Sequence, residues 1–169
     1  AQWIGCRTMN TAGFGTPESY TACFEFFIAP TDTRGRNPMP ELAPDVVNNS
    51  WGCIRSEGCD ADTLYDIVEA TQAAGVMLVV SAGNSGPSCR SVSDPPATYN
   101  EVFTVGAYDQ SGSLAGFSSR GPSTFDGSVK PNIAAPGVGI RSSWPGGGYL
   151  NGLSWTSMSS PEVAAAAAL

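Results

Sequence analysis

The 169-residue sequence contains no histidine, and its eight lysine and arginine residues face 15 aspartate and glutamate residues. Without histidine, the five cysteines have no imidazole that could complete a mixed zinc site, and they also lack the paired C-x-x-C spacing of such sites. The net charge is −7 and the basic residues are scattered singly, which excludes a patch that follows a phosphate backbone. We therefore expect no nucleic-acid partner.

Long apolar runs are also absent. No segment approaches the roughly 18 to 20 apolar residues of a membrane-spanning helix. The first residues, AQWIGCR, lack the charged start and apolar middle of a signal peptide, so we expect no membrane partner and a targeting segment that has been removed. With 41% hydrophobic residues, 20 Gly and 13 Pro, the sequence predicts one domain over residues 1–169, built from short elements joined by many turns.

Five cysteines are many for a reducing cytosol, and they favour disulfides and a secreted or extracellular location. Cys53 and Cys59 would close a short loop, and Cys6 and Cys23 are a plausible second pair. The odd number leaves one thiol over. Buried free thiols are the alternative, because connectivity cannot be deduced from sequence.

Four short apolar runs predict buried strands, at residues 3–7, 46–50, 76–82 and 102–107. A helix is predicted after the first run, with Thr16 as its cap, Pro17 at its first position and Glu18 in its first turn.

A second helix is predicted between residues 60 and 75. It begins with cap-forming aspartates and ends at Gly75, with Leu64, Ile67, Val68 and Thr71 on one face. The alternation of strands and helices predicts an α/β fold with a mostly parallel sheet.

The segments after residue 108 are short and rich in turns, so we expect antiparallel additions or long surface loops there. In open parallel sheets, ligands bind beyond the carboxyl ends of the strands. The loops at 48–52 and 81–86 should therefore be neighbours.

Six segments carry a resemblance to a known family: VVNNSWG, AAGVMLVVSAGNSGP, PPATYNEVFTVGAYD, FSSRGP, KPNIAAPGV and WTSMSSPEVAAAAAL. Their order and spacing resemble those of subtilisin-like serine proteases. The resemblance covers most of residues 44–169 and implies the later part of the catalytic domain. It implies a subtilisin-like α/β fold in which the sheet is flanked by helices and lacks its early strands.

By this resemblance Ser157 matches the family nucleophile and Asn84 the oxyanion-hole asparagine. The physics agrees, because the free N–H groups and positive dipole end at a helix N-terminus favour a developing oxyanion. The alternatives are a helix-capping serine and a turn asparagine. The residues that match the substrate-binding strand ends and specificity pocket are Ser50, Trp51, Gly52, Ser81, Ala82 and Gly83.

The family triad also requires an aspartate and a histidine from earlier stretches, and this chain has no histidine. A serine hydroxyl without a general base is a poor nucleophile. We therefore expect hydrolysis of peptides or small esters that is weak, limited to activated esters, or dependent on a partner or missing segment.

Three residues depart from the family pattern near Ser157. Trp155 replaces a glycine and would crowd the nucleophile or form a new pocket wall. Glu162 replaces a histidine, but it lies five residues beyond Ser157, about 140° around the helix, so the two side chains should not meet. Ala165 replaces a glycine and lets the helix continue.

No cofactor is expected to be required. The carbonyls of Ala97, Tyr99 and Val102 match positions that bind calcium or a monovalent cation weakly in some subtilases. Plain turn structure is the alternative.

A second function class is an inactive fragment or pseudoenzyme that binds peptides or associates with itself. A sheet without its early strands exposes an unpaired edge, so we expect a homo-oligomer or association with the missing segment. An engineered or selected piece is a third possibility.

Overall fold

A four-stranded parallel sheet organises the chain, and the computed structural model describes all of residues 1–169. The strands lie in chain order, and they are β1 (Val46–Asn49), β2 (Met77–Ser81), β3 (Phe103–Tyr108) and β4 (Ile133–Pro136). Asn49 pairs with Val80, and Ser81 pairs with Val105. The carboxyl ends of β1 and β2 therefore meet at one edge, which confirms that the loops at 48–52 and 81–86 are neighbours.

Three helices cover the sheet: α1 (Pro17–Ile28), α2 (Tyr65–Ala73) and α3 (Thr156–Ala167). The predicted start of α1 is confirmed, since Thr16 Oγ1 accepts the N–H of Ser19 at 3.2 Å and Ser19 Oγ accepts the N–H of Thr16 at 2.9 Å. None of the helices has the length and apolar character needed to cross a membrane.

The apolar face of α2 was predicted correctly, but its cap was not. Leu64, Val68 and Thr71 are completely buried. However, α2 begins at Tyr65, and no side chain caps it. The N–H of Asp60 instead binds Thr63 Oγ1 at 2.8 Å, so the aspartate-rich stretch forms a turn before the helix.

Side chains alternate between the two faces of the sheet, as strand geometry requires. Leu78 and Val80 join Tyr20 and Phe24 of α1 in the larger core cluster. Val79, with Val105 and Ala135, forms a smaller cluster against Val163 and Ala164 of α3. Thus α3 packs on one face of the sheet, and α1 and α2 pack on the other.

The prediction of a strand at residues 3–7 is wrong. This segment is irregular, and the side chain of Trp3 is 89% exposed. This segment does not pair with β1, and instead both line a cavity of about 770 Å³. A segment without a hydrogen-bonding partner does not form a strand. The disulfide between Cys6 and Cys23 ties the segment to α1 instead.

The expectation of antiparallel additions after residue 108 is partly wrong. Residues 133–136 form β4, which pairs with β3 in parallel, with Ala134 opposite Gly106. Pro131 precedes this short run and Pro136 ends it. Both weaken the sequence signal for a strand, since proline gives no N–H to a ladder. The expectation is confirmed for the antiparallel hairpin of β5 (Ile140–Trp144) and β6 (Gly148–Leu153).

Both predicted disulfides are confirmed. Cys6 and Cys23 are joined with their Cα atoms 5.6 Å apart, and Cys53 and Cys59 with theirs 5.7 Å apart. Cys89 is the remaining thiol, and it is exposed.

Candidate active site

The N-terminus of α3 lies over the carboxyl ends of β1 and β2. Trp155 precedes the helix without a side-chain cap of its own. Asn84 supplies the missing acceptor from the loop after β2, because its Oδ1 accepts the N–H of Thr156 at 2.9 Å. The buried Thr156 hydroxyl also donates to this Oδ1, at 3.0 Å. Asn84 therefore fixes the start of the helix from outside it.

This bonding determines how the Asn84 amide is oriented. Its oxygen is held by two donors of Thr156, while its Nδ2 donates no hydrogen bond within the chain. Gly83, immediately before it, has φ of +95°, a left-handed conformation that favours glycine. The site thus presents a free amide donor beside the first turn of α3.

Ser157 and Ser50 hold each other by two hydrogen bonds. Ser157 Oγ donates to the Ser50 carbonyl at 3.2 Å, and Ser50 Oγ donates to the Ser157 carbonyl at 3.0 Å. In a regular helix the Ser157 carbonyl would accept the N–H of residue 161, but Pro161 has none. The hydroxyl of Ser50 takes the place of this missing donor.

Two further side chains extend this arrangement along β1. Asn48 Nδ2 donates to Ser50 Oγ at 3.0 Å, and Ser160 Oγ donates to Asn48 Oδ1 at 2.6 Å. These bonds fix the first turns of α3 against the end of β1. Sequence reasoning missed Asn48, Ser160 and Thr156, because a hydrogen-bonding role for these residues carries no spacing signal.

No base hydrogen-bonds to Ser157. The partner of its hydroxyl, the Ser50 carbonyl, is an acceptor that does not take up a proton at neutral pH. Glu162 is exposed and makes no hydrogen bond to Ser157, in line with its expected position, and desolvation raises the pKa of its carboxyl.

The residues predicted to bind substrate fall into two groups. Ser50, Gly52 and Gly83 lie in the loops that bracket the start of α3, and the Gly83 carbonyl accepts from the Thr156 hydroxyl at 3.3 Å. Ser81 and Ala82 are buried, and the Trp51 ring stacks on Tyr20 with 4.1 Å between ring centroids. The Trp51 side chain is therefore part of the packing beneath the site.

Trp155 adopts an extended backbone, with φ of −164° and ψ of 163°, that any residue can adopt. Its half-exposed ring packs against Phe117, with 5.5 Å between ring centroids. The indole is thus directed toward the loop after β3.

A buried lysine contacts one of the three carbonyls considered for a weakly bound cation. Lys130 is 4% exposed, and its Nζ donates to the Val102 carbonyl at 2.8 Å and to Asn132 Oδ1 at 3.1 Å. The Ala97 carbonyl accepts the Thr104 hydroxyl at 2.8 Å. No group of three His, Cys, Asp or Glu side chains is placed to hold a metal ion. These residues do not fit a bound cation, because an ammonium group already faces the Val102 carbonyl.

The family model described as Subtilase family matches residues 1–169. The chain belongs to the subtilase family. This confirms the resemblance carried by the six sequence segments and the α/β fold expected from it.

Curated subtilase relatives match the whole chain. Bacillopeptidase F of Bacillus subtilis (strain 168) is 46% identical over 176 residues, which are 100% of this chain and 12% of the relative. Subtilisin Savinase of Lederbergia lenta is 40% identical over 169 residues, which are 100% of this chain and 53% of the relative.

Solved structures agree with the subtilase fold. A cold adapted subtilisin-like serine proteinase superposes with a TM-score of 0.74 and 28% identity, over 96% of this chain and 50% of that one. The prenylagaramide maturation protease PagA gives a TM-score of 0.72 and 25% identity, over 94% and 50%. The chain thus spans about half the length of these two solved chains.

Proposed function

We propose that the chain is the nucleophile-bearing part of a subtilisin-like serine hydrolase acting on peptides or small esters. Ser157 attacks the substrate carbonyl, and the free Nδ2 of Asn84 donates to the oxygen that becomes negative. The observation that supports this most is the orientation of Asn84, whose Oδ1 is held by Thr156 next to Ser157. No cofactor is required, and the Lys130 ammonium group lies on the Val102 carbonyl, one of the three carbonyls considered for a cation.

The proton of Ser157 must pass to a base that this chain does not contain. The chain alone therefore acylates slowly and prefers activated esters, whose leaving groups need no protonation. Faster peptide hydrolysis requires a segment or second chain that supplies the base. Two disulfides favour an oxidising compartment, so we propose that the protein is secreted.

A fluorophosphonate probe tests the nucleophile. We expect slow labelling at Ser157, identified by peptide mass spectrometry, and no labelling in Ser157→Ala. Ser56→Ala is the matched control, because Ser56 is exposed in the 3₁₀ turn at Arg55–Glu57. Absence of label on Ser157 at millimolar probe would refute the proposal.

Imidazole tests the missing base. Added imidazole should accelerate p-nitrophenyl acetate turnover by the wild-type chain above the sum of the separate rates. The Ser157→Ala variant corrects for hydrolysis by imidazole itself. An equal rate in both proteins at every imidazole concentration would contradict a base-limited serine. Casein should remain uncleaved by the chain alone.

A self-associating module is the second candidate, and the open side of β1 favours it. β1 is an edge strand, and beside its cavity Trp3 and Ile4 are exposed. Pairing of β1 with a second copy would satisfy this edge. Size-exclusion chromatography with light scattering tests this, and a monomer at 100 μM would count against it.

A further inference from the structure

Tyr20 and Glu57 form a hydrogen-bonded pair beneath the candidate active site. Tyr20 belongs to α1 and is completely buried, and its hydroxyl donates to Glu57 Oε2 at 3.0 Å. Burial raises the pKa of this hydroxyl, and the hydrogen bond to Glu57 raises it further. Tyr20 therefore remains a hydrogen-bond donor at neutral and alkaline pH.

The carboxylate of Glu57 binds donors from two parts of the chain. Its Oε1 accepts the N–H of Gly15 at 2.9 Å. Its Oε2 accepts the N–H of Ile54 at 3.3 Å, in addition to the Tyr20 hydroxyl. Gly15 lies just before α1, and Ile54 lies in the loop that the Cys53–Cys59 disulfide closes. Glu57 thus joins the start of α1 to the loop that follows β1.

The ring of Tyr20 supports Trp51. The two rings are stacked nearly parallel, at 14°, with 4.1 Å between their centroids. Tyr20 is therefore held at two places, at its hydroxyl by Glu57 and at its ring face by Trp51. A phenylalanine would fill the same space, but it would have no bond that fixes the ring relative to the loop. The hydroxyl determines where the ring supports Trp51.

Trp51 is covalently joined to the carbonyl that Ser157 contacts. The Ser50 carbonyl and the Trp51 nitrogen belong to one planar peptide group, so a displacement of Trp51 tilts this carbonyl. The carbonyl accepts from Ser157 Oγ at 3.2 Å. Two residues further along, the N–H of Cys53 is fixed to the Pro95 carbonyl at 2.7 Å. The stacked Trp51 ring is thus the contact through which α1 acts on the Ser157 hydroxyl.

We propose that Tyr20 and Glu57 are positioning residues for the attack by Ser157. This inference rests on the proposed function. Their hydrogen bond keeps the Tyr20 ring against Trp51. The stacked Trp51 in turn holds the Ser50 carbonyl where it orients the Ser157 hydroxyl. A displacement of about 1 Å that begins far from the reacting atoms can slow a reaction about 100-fold.

Tyr65 provides a matched comparison in the same chain. Its hydroxyl donates to Glu101 Oε1 at 3.2 Å, and its ring stacks on Phe125 with 5.6 Å between centroids. Tyr65 is the first residue of α2, and its hydroxyl bond and ring contacts reach none of the residues around Ser157. Tyr65→Phe therefore removes the same kind of bond without a route to the nucleophile.

The test measures fluorophosphonate labelling of Ser157 and determines two quantities, the maximal rate constant and the probe concentration at half-maximal rate. Tyr20→Phe should lower the maximal rate constant about tenfold and leave the half-maximal concentration unchanged, because the hydroxyl does not touch the probe. Tyr65→Phe should change neither quantity. Glu57→Gln should also lower the maximal rate constant. In the Tyr20→Phe background it should lower it by less than about twofold, because Glu57 acts through the Tyr20 hydroxyl.

Circular dichroism and urea unfolding establish that each variant is folded, and Glu57→Gln carries the same test if Tyr20→Phe does not fold. An unchanged maximal rate constant in Tyr20→Phe, even with a lower urea midpoint, would show a structural role alone and overturn the proposal. An equal loss in Tyr65→Phe would also overturn it.

A second measurement separates this inference from failure of the proposed function, which absence of label on the wild type would indicate. Ser157→Ala removes the hydroxyl that donates to the Ser50 carbonyl and should lower the urea midpoint. The decrease should be smaller in the Tyr20→Phe background, because a misplaced hydroxyl bonds this carbonyl poorly. Equal changes in the two backgrounds, including no change in either, would refute the inference without reference to activity.

Discussion

The hydrogen bond from Ser50 to the Ser157 carbonyl should matter mainly because residue 161 is proline. In the wild type, Ser50 Oγ is the donor that satisfies this carbonyl, at 3.0 Å. Replacing Pro161 with alanine supplies the N–H that a regular helix directs at the same oxygen. The two substitutions should therefore be coupled, and a double-mutant cycle of Ser50→Ala and Pro161→Ala measures the coupling.

The size of the coupling energy depends on whether the Ser157 carbonyl has another donor when Ser50 is replaced. Ser50→Ala in the wild type removes the exposed hydrogen bond from Asn48 Nδ2 and the bond to the Ser157 carbonyl, and it leaves that part-buried acceptor without a partner. Together these losses should lower the free energy of unfolding by about 1.5 kcal/mol. With Pro161→Ala present, the carbonyl keeps a helical N–H, and Ser50→Ala should cost about 0.5 kcal/mol. We expect a coupling energy of about 1 kcal/mol.

Urea unfolding with the disulfides intact, followed by tryptophan fluorescence and circular dichroism, provides the four free energies. Ser56→Ala in both backgrounds is the control, because the exposed Ser56 side chain makes no hydrogen bond. Equal costs of Ser50→Ala in the two backgrounds, within about 0.3 kcal/mol, would refute the role assigned to Pro161.

Three further outcomes are expected. Asn84→Asp keeps the oxygen that holds Thr156 but removes the amide donor, so the midpoint of urea unfolding should change little while fluorophosphonate labelling falls about 100- to 1,000-fold; equal labelling would contradict the oxyanion role. Burial lowers the pKa of Lys130 to about 8 in the folded chain, so the unfolded state binds more protons above pH 8, and stability should rise by about 1.5 kcal/mol from pH 8 to 9.5. Above pH 10 it should fall again, because burial raises the pKa of Tyr99 to about 12; urea titrations at each pH measure both trends, and Lys130→Met should remove the rise. Gly137→Ala should destabilise the fold by about 1 to 3 kcal/mol, because its Cβ would meet Ser159 Oγ and the Ala107 side chain where α3 packs on the sheet; an unchanged melting temperature would contradict this.

The sequence predicts β1, β2 and β3, but it does not predict the irregular segment at residues 3–7 or the strand β4. β2 and β3 are continuous apolar runs buried on both faces, so composition alone identifies them. Residues 3–7 also form a short apolar run but have no partner strand, and pairing cannot be read from one segment. β4 shows the opposite case. It has a partner strand in β3, but the short run that ends at Pro136 gives little signal in the sequence.

The candidate site could likewise be predicted only in part from the sequence. Ser157 and Asn84 were assigned from a resemblance, and the structure brings their segments together through Thr156. The contacts of Ser50 with residue 157 and of Asn48 with Ser160 join residues more than 100 positions apart in sequence. Neither leaves a periodic or spacing pattern, so only the folded chain reveals them.

The planar amide of Asn84 has opposite ends with different tasks, since its oxygen anchors Thr156 and its nitrogen is left for an incoming charge. Because the group is rigid and Ser157 is the next residue of the helix, a thermal displacement of α3 carries donor and nucleophile in the same direction. Motions of the surrounding loops should therefore change the distance between the Asn84 amide and the Ser157 hydroxyl little.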